Sequence, residues 1–218
     1  MSAIKISYDE AREKMQPGDV IAFGGTGAVS ELIKFATSSE ISHVGVVLQT
    51  KVVEDATGRF FNQIVESTGS SGVRAVRFSD KLSEHKDEVW WLPLKKEIRE
   101  NSFDQGKFFN YLFNEVKKKT PYDLPQAIGS GIDILDTLPF GIKGPGHNRE
   151  DFSKFFCSEL VSAGFEVAGT IPSINSSEVT PIDLCRWDIY EDSYYQLQGD
   201  CSKKITRYNT ANPADWRD

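Results

Sequence analysis

The sequence contains few cysteines, and their spacing does not favour cross-linking or metal binding. Three occur among 218 residues: Cys157, Cys185 and Cys201. An odd number argues against a complete disulfide framework, and the absence of CxxC or HxxxH spacing argues against a zinc site. We therefore expect reduced thiols, as in an intracellular protein, and no bound metal.

The chain also lacks a long apolar run and an excess of positive charge. No stretch approaches the roughly 20 apolar residues of a membrane span, and residues 1–10 have no apolar signal-peptide core. The formal net charge is -7, which argues against nucleic acid as a partner because phosphate binding needs clustered Lys and Arg. The composition predicts a soluble, cytoplasmic protein without an integral membrane segment.

The patterns that are present predict a single domain of α+β class. Strands are expected over 20–23, 44–48, 60–67, 73–78 and 89–94, and the turn cluster at 55–58 makes the second and third of them a hairpin. Helical spacing is found over 28–38, 103–119 and 155–167, and Thr180-Pro181 is a typical helix start. We expect an antiparallel sheet packed against helices, with an irregular loop or lid at about 124–152.

Cys157 and His43 are the most informative pair. Cys157 falls at the start of an apolar helical stripe, with Ser153 as the nearest candidate N-cap, and His43 lies on a β-type run. A thiol at a helix N-terminus beside an imidazole is how proteins form a nucleophilic thiolate near neutral pH. The competing interpretation is that Cys157 is a buried core residue, which is common for free cysteines.

A catalytic histidine needs a third group that fixes its tautomer. Glu66 is the best candidate because the hairpin would bring it near His43, although Ser67 and Glu54 remain open. His147 is a competing base in a Gly/Pro-rich context, and His85 is expected to be solvated in a charged loop.

Taken in order, the motifs resemble those of one known family. They are Pro17-Gly18-Asp19-Val20-Ile21, Ser42-His43-Val44-Gly45-Val46-Val47, Val65-Glu66-Ser67 with Gly72-Val73-Arg74, Pro121-Tyr122-Asp123, Phe156-Cys157-Ser158-Glu159-Leu160-Val161 and Thr180-Pro181-Ile182-Asp183-Leu184. This series is similar to the circularly permuted NlpC-type papain-like cysteine peptidases and amidases, the YiiX/YebB-like group. The order of histidine before cysteine reverses the usual papain-like order and is the specific part of the resemblance. The long segment 124–152 departs from the family pattern.

The resemblance implies a permuted papain-like fold and a role for each site residue. Cys157 would be the nucleophile, His43 the general base and Glu66 the group that orients it. Tyr122 would help to hold the oxyanion together with the Cys157 backbone N–H. The implied reaction is hydrolysis of an amide in a peptide or cell-wall peptide through a thioester, with no cofactor. The alternatives are a lipid acyltransferase or esterase and a ligand-binding module without turnover.

Overall fold

The computed structural model describes residues 3–25, 37–54, 56–69, 71–119 and 156–217. The strands are β1 (Ala3–Lys5), β2 (Val20–Phe23), β3 (His43–Val53), β4 (Phe60–Thr68), β5 (Gly72–Arg77), β6 (Val89–Leu92) and β7 (Tyr194–Gln198). The α-helices are α1 (Tyr8–Ala11), α2 (Phe78–Glu84), α3 (Lys96–Asn101), α4 (Gln105–Lys118), α5 (Cys157–Val167) and α6 (Pro181–Arg186), and short 3-10 helices cover Ser176–Glu178 and Pro213–Trp216.

All these strands form one seven-stranded sheet in the order β1-β7-β6-β2-β3-β4-β5. Every neighbouring pair is antiparallel except β1 and β7, which run parallel. The predicted α+β class and the antiparallel sheet packed against helices are confirmed. Each predicted strand is present, and β3 extends five residues beyond its expected end at Leu48.

Side-chain alternation along the strands divides the core between the two faces of the sheet. On one face, Val44 and Val46 of β3 pack in a cluster with Phe108 of α4 and Leu160 of α5. On the other face, Val47 belongs to a second cluster that also includes Ile64 of β4, Phe23 of β2, Ala11 of α1 and Phe78 of α2. His43 and Gly45 share the face of Val47, as the sequence pattern predicted.

The helix predictions have mixed outcomes. The helix expected over 103–119 is confirmed as α4, where the Asp104 side chain caps the first turn by accepting from the Lys107 N–H. Thr180 caps α6 as predicted. Ser153 as N-cap of the cysteine helix is wrong: Phe156 is the N-cap, and the carboxylate of Glu159 accepts a hydrogen bond from the Phe156 N–H at 3.2 Å.

Several expectations fall outside the part of the chain that the structure describes. They are Tyr122, His147, the loop or lid at 124–152 and nearly all of the helix expected over 28–38. Among the helices that the structure does describe, none combines the length and the apolar character required to cross a membrane.

Candidate functional site

His43 and Glu66 meet across two neighbouring antiparallel strands. Glu66 of β4 is paired directly with Gly45 of β3, and paired residues point to the same face of a sheet. His43 lies two residues from Gly45, so its side chain is the diagonal neighbour of Glu66 on that face. The imidazole Nε2 lies 2.8 Å from Glu66 Oε2, which is a charge-assisted hydrogen bond when the carboxylate is ionised.

Gly45 leaves room for this contact. A Cβ at position 45 would lie 3.1 Å from the backbone oxygen of Val65 and 3.5 Å from the Cβ of Glu66. Even an alanine would therefore crowd the strand that carries Glu66. The glycine in the His-Val-Gly motif keeps β3 and β4 close enough for the diagonal contact.

Cys157 approaches His43 from a different element. It is the first residue of α5 and is 1% exposed. The side chains of Cys157 and His43 are within hydrogen-bonding reach. Since Nε2 is engaged by Glu66, Nδ1 is the ring nitrogen available to the sulfur. Cys157 packs in the hydrophobic cluster on the opposite face of the sheet. Because His43 is the first residue of β3, the two side chains meet at the end of that strand.

The electrostatics of His43 reflect both contacts. Burial by itself lowers the pKa of His43, because a low-dielectric site disfavours the imidazolium. The charge and hydrogen bond of Cys157, followed by those of Glu66, outweigh burial and raise the pKa of His43 to about 9. Both neighbours therefore favour the protonated form of His43.

Glu66 is fully buried and bound by two further cations that the sequence did not indicate. Arg74 of β5 donates to Oε1 through Nε at 3.0 Å and through Nη2 at 2.7 Å. Lys81 of α2 lies 3.1 Å from Oε1 and 2.9 Å from Oε2. Burial raises the pKa of Glu66, but His43 and then Lys81 reverse this effect and bring the pKa below its usual range.

Phe23 separates His43 from a second imidazole. Its ring centroid lies 5.4 Å from that of His43 and 5.2 Å from that of His85. The expectation that His85 is solvated is wrong: Nε2 is buried and, among the described residues, has no hydrogen-bond partner. Burial is the main cause of the lowered pKa of His85, followed by the charge of Lys81.

The other candidates are separated from this site or lie outside the described residues. Glu54 pairs with Arg77 at 2.6 Å instead of His43. Cys185 is buried in the core and Cys201 is exposed. The position of Arg74 could have been found from the β4–β5 hairpin, because Arg74 is directly opposite Glu66 in that register. Lys81 offered no such signal, since its contact depends on how α2 packs.

Within the described ranges, no group of three or more His, Cys, Asp or Glu side chains could hold a metal ion. Both oxygens of Glu66 already contact cationic side chains. What the arrangement can do chemically is move a proton between a sulfur and an imidazole whose orientation a carboxylate fixes.

The solved structures similar to this chain include a metalloprotein. It is the metalloprotein YiiX from Escherichia coli O157:H7, with 17% sequence identity and a TM-score of 0.44. The match covers 70% of this chain and 66% of that one, so the chain spans slightly less than two thirds of that neighbour. No protein-family model matches the chain, and no curated protein matches it.

Proposed function

We propose that this protein is a cysteine-dependent hydrolase that cleaves amide bonds, in peptides or cell-wall peptides, through a thioester acyl-enzyme. The observation that supports this most directly is the position of His43, which contacts Glu66 through Nε2 and lies within hydrogen-bonding reach of Cys157. The resemblance of the motifs to the permuted NlpC-type, papain-like enzymes supports the same chemistry.

The proposed roles follow from these contacts. Glu66 accepts from Nε2–H and so fixes the tautomer that leaves Nδ1 free to take the thiol proton. The backbone N–H groups at the start of α5 favour a negative charge on Cys157. The thiolate attacks the amide carbonyl, and the imidazolium gives its proton to the departing amine. Water, deprotonated by His43, then releases the acyl group and restores the thiol.

Selective alkylation tests the nucleophile. Iodoacetamide should modify Cys157 faster than Cys185 or Cys201 at neutral pH, because Cys157 alone of the three thiols is paired with an imidazole within the described part of the chain. Cys201 is a suitable reference thiol since it is exposed, whereas Cys157 and Cys185 are buried. The site of labelling is read by peptide mass spectrometry.

Two histidine variants complete this experiment. His43→Ala should slow Cys157 labelling at least about 10-fold, as expected for loss of a general base. His85→Ala removes an imidazole from the far side of Phe23 and should leave the labelling close to that of the unchanged protein. Equal labelling of all three thiols would remove the proposal.

The His43 imidazole offers an independent readout by NMR titration. The charge of Cys157 is the largest effect that raises the pKa of His43 to about 9. Cys157→Ala should therefore lower this pKa towards or below 6.5, since burial then opposes only Glu66. A pKa unchanged by this substitution would contradict the sulfur–imidazole pairing.

A substrate screen divides the amide hydrolase from its alternatives. Peptide amides and acyl esters of phospholipid type should be tested in parallel, with Cys157→Ala as the inactive control. Turnover of amides alone supports the proposal, and turnover of lipid esters alone favours the lipid acyltransferase or esterase. Selective labelling of Cys157 without turnover of either class would favour a ligand-binding module.

A further inference from the structure

Glu66 has more cationic partners than the orientation of an imidazole requires. A carboxylate that only orients a histidine needs one oxygen for the ring and neutral donors for the other. Here Arg74 binds Oε1 with two N–H groups, and Lys81 contacts both oxygens. These contacts come from two different elements, β5 and α2, while Glu66 itself has no exposed surface.

The geometry assigns a specific task to each cation. Arg74 is directly opposite Glu66 in the β4–β5 register, so its paired N–H groups hold Oε1 in the plane of the guanidinium. Lys81 lies 2.9 Å from Oε2, the oxygen that also contacts His43 at 2.8 Å. With both oxygens engaged, rotation of the carboxylate away from the imidazole would break several charge-assisted contacts at once.

We propose that Arg74 and Lys81 are positioning residues, which keep Glu66 ionised and aimed at His43 over the whole working pH range. This inference rests on the proposed function, because it assigns a purpose to the Glu66–His43 contact. Neither residue touches the sulfur or a substrate in this assignment. They act only through the carboxylate.

The charged groups around Glu66 make this role testable by pH. Its side chain faces His43 from β3, Arg74 from β5 and Lys81 from α2, with Cys157 beyond His43 and His85 near Lys81. Without Arg74 and Lys81, burial would act on Glu66 with only the imidazole to oppose it, and the pKa of this carboxyl would rise. Protonation would then remove the acceptor for Nε2–H within an accessible pH range.

The experiment measures the alkylation rate of Cys157 from pH 4 to 9 in the full chain. In the unchanged protein, the acid limb should follow a single ionisation. In Arg74→Met/Lys81→Met, a second ionisation, that of Glu66, should steepen the limb and lower the rate at pH 5 at least about 10-fold more than at pH 7.5. Adding Glu66→Gln to this double variant should abolish the second ionisation. Replacing Lys81 by Arg instead of Met, in Arg74→Met/Lys81→Arg, should restore the acid limb with a single ionisation.

A matched control removes the same charge elsewhere. Arg77 lies on the same strand as Arg74 but pairs with Glu54, and Lys86 is exposed just beyond α2. Arg77→Met/Lys86→Met should keep the acid limb of the unchanged protein. A folded Arg74→Met/Lys81→Met variant that also keeps it would overturn the inference.

A second measurement covers loss of folding and separates this inference from the proposed function. If the double variant does not fold, Lys81→Met alone is studied by carbon NMR of the Glu66 carboxyl, whose titration should move to higher pH because Lys81 lowers the pKa of this group. An unmoved titration would also overturn the inference. This measurement does not depend on a reactive Cys157, so an unreactive thiol would remove the proposed function and leave the positioning role to be decided by NMR.

Discussion

Two buried carboxylates, Asp19 and Glu66, differ in the groups that satisfy their oxygens. Asp19 is 1% exposed and Glu66 has no exposed surface, so both oxygens of each side chain need partners within the protein. Asp19 accepts from Arg99 at 2.5 Å, from the Trp91 indole at 2.9 Å and from the backbone N–H groups of Gln16 and Leu94 at 2.9 and 3.0 Å. Glu66 is held by two cations and a titratable imidazole.

The partners give the two carboxyls opposite pKa directions. Burial is the largest effect on Asp19 and leaves its pKa raised despite Arg99 and the neutral donors. On Glu66, burial is outweighed by His43 and Lys81, and the pKa is lowered. Neutral N–H donors can satisfy a buried carboxylate, but several positive charges are needed to favour its ionised form. Asp19 therefore serves the scaffold by joining β2, β6 and α3, and Glu66 holds an ionised carboxylate beside the His43 ring.

The largest expected difference between them is in reactivity. Glu66→Gln should lower the alkylation rate of Cys157 by about 100-fold or more, because an amide cannot support the imidazolium and does not enforce the tautomer. Asp19→Asn should leave the rate of the folded fraction nearly unchanged, since Asp19 directly precedes Val20 at the start of β2, whereas His43 pairs with Phe23 at the other end of that strand. Rates measured at pH 7 in folded samples check this, and a similar loss in both variants would break the comparison.

Loss of the Asp19 side chain should also lower the stability of the fold. Asp19→Ala leaves Arg99 partly buried without its carboxylate and removes the acceptor of the Trp91 indole and of two backbone N–H groups. We expect a loss of about 3–5 kcal/mol in the free energy of unfolding, as for other broken buried ion pairs. Urea unfolding followed by circular dichroism measures it, with Asp104→Ala at an exposed helix cap as a control of much smaller effect. A loss no larger than that of the control would contradict the scaffold role.

The pH dependence of stability sharpens the contrast. Because the pKa of Glu66 is below its unfolded value of 4.5, its contribution is present above pH 4.5 and is lost as the pH falls. The pKa of Asp19 is above its unfolded value of 3.8, so its contribution is present below pH 3.8 and is lost as the pH rises through the folded pKa. From pH 6 to pH 3, the difference in unfolding free energy between the unchanged protein and Glu66→Gln should shrink. The corresponding difference for Asp19→Asn should not shrink. Urea unfolding of both variants and of the unchanged protein at several pH values measures these differences.

The smallest expected effect concerns the packing around Glu66. Gly45→Ala places a methyl group 3.1 Å from the Val65 backbone oxygen and should cost about 1–3 kcal/mol of stability. It should also weaken the His43–Glu66 contact and slow Cys157 labelling. Gly164→Ala is the matched control, because its new Cβ would meet the Phe108 ring at 3.3 Å, away from His43. Equal labelling rates in the two variants would show that the contact tolerates a shift of β3.

The sequence predicted the sheet and α4 well because their signals are local. Alternation and turn residues determine β2 to β6, and the predicted strand ends lie within a few residues of those observed except at β3, which continues past Leu48. The N-cap of α5 was missed because Phe156 is not a typical cap residue, and its N–H is satisfied by Glu159 instead.

The candidate site was only partly accessible to sequence reasoning. Cys157, His43 and Glu66 were selected on residue type and motif order, and the structure brings all three side chains together. The register that separates Glu66 from Ser67 and Glu54 could not be read, since β-bulge-like shifts interrupt β3–β4 pairing between Val47 and Val52. Asp19 was recognised only as part of the motif Pro17-Gly18-Asp19-Val20-Ile21, and its burial depends on α3 and β6, which come much later in the chain.

The positions of these residues along the chain also have a consequence for how the protein folds. His43, Glu66, Arg74 and Lys81 come from adjoining hairpins, whose short-range pairing requires little chain entropy to close. Cys157 arrives only when α5 docks, a contact between residues far apart in sequence. The imidazole and its carboxylate can thus assemble before α5 docks. Under the proposed function, an incompletely folded chain would carry an ordinary thiol, and the thiol would become reactive only at the last stage.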